Sequence, residues 1–472
     1  MTAETKPTKP ARPQQRRPDL DTVFSVNDDG SRNFIHTADV KGPWQTRKTA
    51  IHLLLLAIYF IVPWLEFGGH PLIHIDLPGR QAFLLGQTFT NQDFYLMFFL
   101  VTGAGFGLFV VTALWGRIWC GYACPQTVMV DGVFRKIERW FEGSREKRLK
   151  RNAGPWTFDK FWRKAGKHIV YLALATISAH TFMSYFFPIR DLIPAVLSGP
   201  TGHTTAFLWA LFWTGMLYFD YAWFREQTCI VICPYGRLQS TLTDADTVVI
   251  GYDENRGEPR GKKGADGVGD CVDCFRCVQV CPTGIDIRNG LQLECIGCTN
   301  CIDACDAVMT KLERPKGLIR YDSLRGFNGE KKRSIFRPRV GLYAFLGILG
   351  LTVFSVTALS RSPFEVRILR PKGMPYTLQE TAIQNLYNIR IQNKTGIDRT
   401  YYVEAGESEK GNDLRFVISQ TKVHIPTLED ATVPVFVDLD RSEYTANFPI
   451  HFVVRDSLGG AAKTIEATFR GP

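Results

Sequence analysis

The stretch Cys271-Val-Asp-Cys274-Phe-Arg-Cys277-Val-Gln-Val-Cys281-Pro282, with its repeat Cys295-Ile-Gly-Cys298-Thr-Asn-Cys301-Ile-Asp-Ala-Cys305-Asp306, holds eight of the chain's 12 cysteines. Both halves keep the spacing C-x2-C-x2-C-x3-C, in which three close thiolates take three corners of an iron–sulfur cubane and the fourth reaches the other cluster. On that rule Cys271, Cys274, Cys277 and Cys305 hold one [4Fe-4S] cluster, and Cys295, Cys298, Cys301 and Cys281 the other. Zinc is the rival, but its sites use paired C-x2-C units with a longer spacer and often histidine. No histidine lies between Cys271 and Cys305. So many closely spaced thiols in one run suit metal rather than cross-linking.

On either side of this run, apolar residues concentrate in five segments: Ala50–Phe67, Tyr95–Trp115, His168–Phe187, Thr204–Trp223 and Val340–Leu359. Each approaches the ~20 residues that a helix needs to cross ~30 Å of hydrocarbon. Lysine and arginine between them set an orientation. Residues 1–48 carry nine and residues 116–167 thirteen, whereas 68–94 and 188–203 carry one each, Arg80 and Arg190. The loop 224–339 is basic throughout and ends in Lys331-Lys332-Arg333 and Arg337-Pro-Arg339. The positive-inside rule therefore predicts a cytoplasmic N-terminus and cytoplasmic clusters, with residues 360–472 on the other, periplasmic side. The same placement assigns the net charge of +10 to topology and anionic membrane lipid, and argues against nucleic acid.

Residues 1 to about 35 have the composition of a disordered tail and lack the apolar core of a signal peptide. Val133 to Arg151 repeats Phe134, Ile137, Trp140 and Phe141 among basic residues, which predicts a helix lying on the membrane surface. Beyond Pro371, alternating segments at 384–392, 400–405, 414–419, 432–440, 449–456 and 463–469 predict an all-β, immunoglobulin-like sandwich without a disulfide. His424 and His451 in that tail are expected to be surface or satisfied residues. The expected organisation is a basic disordered tail (1–48), a four-span membrane domain (49–248), a ferredoxin-like insert with two clusters (249–339), a fifth span (340–360) and the sandwich (361–472).

The other four cysteines form their own repeat. Cys120-Gly-Tyr-Ala-Cys124-Pro125 follows the second apolar segment, and Cys229-Ile-Val-Ile-Cys233-Pro234 follows the fourth. The C-x3-C spacing places two thiols on one face of a helical turn, which the proline then ends. The pairs are expected to converge on one four-thiol site or to face a soft metal such as Cu(I). Weaker candidates are His52 and His180 inside apolar segments, and Glu66, His70, His74 and Asp76, a loop cluster able to catch a metal. Gly103-Ala-Gly105-Phe-Gly107 lies in an apolar segment and is expected to serve close helix packing, not nucleotide binding.

Two C-x3-C-P motifs, a double-cluster loop, five apolar segments and a β-sandwich tail together resemble the CcoG (FixG/RdxA) family of cytochrome c oxidase accessory proteins, a kind of membrane polyferredoxin. The resemblance covers the chain beyond its N-terminal tail. It implies a cupric reductase in the bacterial inner membrane that supplies Cu(I) for assembly of cbb-type cytochrome c oxidase. It also implies a cytoplasmic electron donor, with the oxidase or its assembly factors as partners. The cluster ligands map onto the eight cysteines of the run, and the reactive, copper-facing pairs onto Cys120, Cys124, Cys229 and Cys233. Asp306 departs from the double-ferredoxin pattern, which has Pro after the fourth cysteine; a carboxylate there makes a cluster harder to reduce. The rival readings are an electron conduit to another membrane enzyme and a non-catalytic assembly scaffold.

Overall fold

The computed structural model describes residues 34–67, 70–90, 93–262, 267–330, 334–360, 362–370, 375–407, 413–458 and 460–472. Most of the expected basic tail, the Lys331-Lys332-Arg333 run and most of the Gly411-Asn-Asp413 turn lie outside the described residues. The chain forms two compact units. One comprises residues up to 61, 101–183 and 190–351, and includes all twelve cysteines. The other comprises 62–100, 184–189 and 352–472.

The second unit is built by alternation. Along Ala382–Asn393 every second residue is buried, and the same period runs through Asp430–Asp440 and Phe448–Asp456. Period-2 burial puts one face of each strand into a shared core. One sheet pairs Ala382–Asn393 with Asp430–Asp440 and Phe364–Leu369, and adds Leu414–Ile418 at its edge. The other pairs Phe448–Asp456 with Arg399–Ala405 and Ala462–Phe469, with Lys422–Ile425 outside. Phe452 sits between them, 5.5 Å from the Tyr387 ring and 6.0 Å from that of Phe416. The six expected strands are present; Phe364–Leu369 and Lys422–Ile425 are additional. His451 is satisfied by the Glu407 carbonyl (2.8 Å). The same unit carries a small sheet of Ile73–Asp76, Gln81–Leu84 and Gln87–Phe89. There His70 and His74 both stack on Phe83, and among the described residues no three acidic, cysteine or histidine side chains gather around a single ion. The expected metal-catching loop is therefore aromatic packing.

The first unit is mainly helical. Among the described residues of the chain, three helices are long and apolar enough to cross a membrane: Pro43–Trp64, Tyr95–Trp115 and Pro338–Leu359. Of the other two expected spans, Phe158–Met183 begins with Lys160, Arg163, Lys164 and Lys167, which dilute its apolar part. Thr204–Phe219 is 16 residues long and passes into a π-helical turn, Asp220–Phe224. A Cβ on Gly103 would stand 2.9 Å from the Leu351 side chain, whereas one on Gly105 or Gly107 would meet nothing within 4 Å, although the Gly107 nitrogen lies 3.4 Å from where a Gly347 Cβ would be. Close helix packing thus requires glycine at Gly103.

The tail expected to extend to residue 48 ends earlier. Residues 34–42 form a strap: Ala38 N–H donates to the Gln279 carbonyl (2.8 Å), Arg145 to that of His36 (2.9 Å) and Arg148 to that of Thr37 (2.6 Å). The helix then starts at Pro43, where the buried Asp303 carboxylate accepts from Gln45 N–H (2.7 Å) and Trp44 N–H (3.3 Å). An anion against the free N–H groups of a helix start is stabilising. These partners are more than 100 positions away, so local composition could not reveal them.

The surface helix expected over Val133 to Arg151 is also corrected. It is two helices, Arg135–Glu142 and Arg145–Ala153, separated by Gly143 at φ 86°. Arg135, Glu138, Glu142 and Arg148 are buried, Lys136, Glu146, Lys147 and Lys150 stay exposed, and Trp140 is 78% exposed. Glu138, 2% exposed, receives Arg225 (3.2 Å), Arg148 (3.4 Å) and His36 (3.8 Å). Arg135 spans Asp131 (2.6 Å), Glu226 (3.1 Å) and the Pro282 carbonyl (2.8 Å). Charge turned inward by pairing cannot also be the wet face of an interfacial helix.

Burial alone would raise the Glu138 carboxyl, but Arg225, Lys167 and Arg148 outweigh it and hold it at about 2. A depressed carboxylate contributes stability that is present above its unfolded value, near 4.5, and is lost as pH falls through the folded value. Acid unfolding of the first unit should therefore steepen between pH 4.5 and 2. Glu138→Gln should cost roughly 3 to 5 kcal/mol at neutral pH, because the guanidinium groups stay buried without their anion. Hydrogen exchange on residues 130–150 measures both effects.

Candidate iron–sulfur and four-thiol site

The cysteine run is laid over a small frame in the first unit. Strands Val249–Tyr252 and Ile319–Asp322 pair antiparallel, and helix Asn300–Lys311 carries Cys301 and Cys305. Ile250, Tyr252, Ile287, Ile302, Met309, Leu318 and Ile319 form an apolar core with the buried Cys271 and Cys277. Asp273, Phe275 and Thr299 take positive φ. Such turns between closely spaced cysteines re-aim the chain, and non-glycine residues held there concentrate at functional sites.

The eight thiols lie close enough to act on one another electrostatically. Cys305 lies in the field of Cys277, Cys271 and Cys274; Cys301 lies in that of Cys298, Cys295, Cys281 and Cys277. Cys281, Cys295, Cys298 and Cys301, together with Cys277, line one cavity whose other walls include Ile250, Ile285, Ile287 and Ile296. Burial pushes the Cys277 and Cys295 thiols up to about 11 and those of Cys298 and Cys305 to about 12, and neighbouring cysteines raise each further. Four thiols facing an apolar cavity cannot ionise together unless iron supplies compensating charge. An all-cysteine donor set around an apolar cavity fits an iron–sulfur cluster.

The outlying cysteines converge on a second location. Gln126, two residues after Cys124, donates to Asp220 Oδ1 (3.0 Å) and the Arg225 carbonyl (2.9 Å). Arg117 donates to the Gly236 carbonyl (2.6 Å), and the Gln239 amide lies 3.3 Å from Cys120 Sγ. The two motifs are thereby laced together, and Cys229 lies in the field of Cys124, Cys120 and Cys233. Burial raises the Cys120 thiol to about 11 and pushes Cys229 up as well.

The thiols do not share one face of a turn as expected. Cys120 is inside helix Ile118–Tyr122, while Cys124 caps Pro125–Met129 in extended backbone (ψ 126°). Cys229 lies in the π-helical turn Thr228–Ile232, and Cys233 caps Pro234–Leu242 (ψ 110°). The cause is local: proline forces the preceding residue out of helical backbone. Cys-Pro in both motifs carried that signal. Of the histidines, His52 is buried beside Gly132, and His180 meets its own helix at the Thr176 carbonyl (2.8 Å). Asp220 holds Gln126 and Thr228.

The two locations touch through a pair of glycines. A Cβ on Gly121 would stand 2.7 Å from the Gly297 carbonyl oxygen and 2.9 Å from Cys298 Cα; one on Gly297 would stand 2.9 Å from the Arg117 carbonyl oxygen. Tyr122 and Thr299 join their hydroxyls at 3.0 Å, and Arg117 also donates to the Leu293 carbonyl. Backbone rests on backbone between Cys120 and Cys298, and only glycine permits that approach.

Residues 224–324 match a family model described as a 4Fe-4S dicluster domain, residues 96–147 one described as a 4Fe-4S binding domain, and residues 354–472 one described as an IG-like fold at the C-terminal of FixG. The chain is 37% identical over 385 residues to "Protein RdxA" of Cereibacter sphaeroides, covering 78% of this chain and 81% of that protein. It is 34% identical over 436 residues to "Nitrogen fixation protein FixG" of Rhizobium meliloti, covering 81% and 82%. To "Protein RdxB" of Cereibacter sphaeroides it is 36% identical over 421 residues, covering 84% and 87%.

Gly121→Ala should drive the Cys120 loop off the Gly297–Cys298 backbone and lower the yield of folded, iron-loaded protein several-fold. Gly105→Ala, in open space, should leave iron per chain unchanged. Iron content of both proteins after anaerobic purification checks this.

Proposed function

The chain belongs to the FixG/RdxA family of iron–sulfur electron-transfer proteins, and from that premise we propose that it carries electrons from a cytoplasmic donor through two [4Fe-4S] clusters to Cu(II). Cys271, Cys274, Cys277 and Cys305 would hold one cluster, and Cys281, Cys295, Cys298 and Cys301 the other. When bound, the clusters supply one-electron storage. The single observation that carries the reading is the glycine-to-glycine contact, which sets the Cys120 loop against Cys298.

The chain's own residues do the rest. Ile250, Ile285, Ile287 and Ile296 make the walls of the cysteine-lined cavity apolar, which strengthens every charge interaction inside it. Cys120, Cys124, Cys229 and Cys233 offer four soft donors, which favour Cu(I) over Cu(II) and so suit the end state of the transfer. One electron entering converts Cu(II) to Cu(I), and one is taken from the donor to restore the protein. The basic flanks of five apolar segments support a multi-pass protein of the bacterial inner membrane with cytoplasmic clusters and a periplasmic sandwich. Cu(I) would then serve assembly of a cbb-type oxidase, with the sandwich as the surface for the oxidase or its assembly factors.

Replacing Cys120 and Cys124 together by Ser should leave both clusters reducible by dithionite while Cu(II) no longer reoxidises them at the wild-type rate. The loss should be tenfold or more, read by visible absorbance under anaerobic conditions. Copper chemistry unchanged in that variant would favour a conduit to another membrane enzyme.

A further inference from the structure

Lys48 is a buried cation that the electron path above does not use. It lies in the Pro43–Ile61 helix and is 2% exposed. Its ammonium donates to Asn300 Oδ1 (2.6 Å) and to the Cys298 carbonyl (3.4 Å), both neutral oxygens. Among the described residues no carboxylate pairs with it. Asp131, which shares its field, gives Oδ1 to Arg135 at 2.6 Å, and its buried Oδ2 makes no hydrogen bond, to Lys48 or to any other described residue. Asp303, in the neighbouring helix, is taken up by the N–H groups of Trp44 and Gln45.

A buried ammonium without a directly paired anion is costly, and two neutral acceptors with one carboxylate at longer range offset that only in part. What stands beside this one is Cys298, and the four thiolates of a cluster there would be the missing negative charge. The other cysteine group has different surroundings. Asp273 (2.5 Å) and Asp286 (2.6 Å) share the single Arg288, and Asp306, next to Cys305, accepts only from Gly317 N–H (2.9 Å). Three carboxylates with one guanidinium lie at the first group, whereas at the second Lys48 and Arg117 balance Asp131 and Glu294.

We propose that Lys48 raises the reduction potential of the cluster held by Cys281, Cys295, Cys298 and Cys301 above that of its partner, so that electrons settle beside the four-thiol site. Reduction adds negative charge, and a fixed cation in a dry site favours the more negative state. Lys48 is a positioning residue for charge, and its role rests on the cluster assignment proposed above. Residue 48 also ties the first apolar helix to the redox centre, since the same helix start is capped by Asp303.

The test uses the full-length protein, purified anaerobically in detergent, and follows each cluster by electron paramagnetic resonance through a potentiometric titration. Two variants address the charge separately: Lys48→Met removes it, and Asn300→Asp leaves Lys48 in place but gives it a carboxylate. Both should shift one cluster to lower potential and leave the other unmoved, with Lys48→Arg staying near wild type. Unchanged potentials in Lys48→Met and Asn300→Asp, with about eight irons per chain retained, would overturn the role of Lys48. Wild-type protein that binds fewer than two clusters would instead overturn the cluster assignment. If Lys48→Met loses iron, the Asn300→Asp potential alone decides.

Discussion

The approach of Gly121 to Gly297 and Cys298 is the constraint on which the rest of the first unit depends. A backbone can rest on another backbone only where neither residue carries a Cβ in the gap, and here both sides are glycine. The contact joins two cysteine sets that are about 175 positions apart in the chain. Arg117, which precedes the first C-x3-C-P motif, reinforces it by donating both to Leu293 and to Gly236. One side chain thereby touches the cluster loop and the second motif together.

Around that contact the protein is held by charge as well as by apolar burial. Glu138, Arg135 and Arg148 from helices and Arg225 from a turn form a dry ionic group, and Arg135 reaches the carbonyl of Pro282, directly after Cys281. Such a group adds little net stability over apolar packing, but loss of one member is costly, so it fixes one arrangement. The strap of residues 34–42 closes over it through Arg145 and Arg148. The sandwich of the second unit is stabilised differently, by interdigitated side chains such as Tyr387, Phe416 and Phe452.

Much of this was legible before any coordinates. Cysteine spacing alone pointed to iron–sulfur chemistry, because a cubane imposes its size on local sequence. Period-2 alternation located the long strands, since a half-buried sheet repeats every two residues. The acidic and basic residues between 131 and 151 were illegible for the opposite reason: charge reads as solvated unless its partner is known, and Glu226 and Arg225 are some 90 residues away. Lys48 and Asp303 were hidden in the same way, one in a basic tail and the other between two cysteines. The broken turns of the C-x3-C-P motifs were legible in principle, through the proline that follows Cys124 and Cys233. Phe158–Met183 carries its lysines and arginine on the first turns of the helix, so apolar length and helix length do not coincide there.

The central claim is that electrons stored at the eight-cysteine run leave through the four outlying thiols to copper. It is tested most directly by reducing the purified full-length protein anaerobically, removing excess reductant and adding Cu(II) in steps while recording cluster absorbance. The account predicts two one-electron clusters per chain, reoxidised in proportion to added Cu(II) with one Cu(I) formed per electron. Clusters that remain reduced in the presence of excess Cu(II) would contradict it.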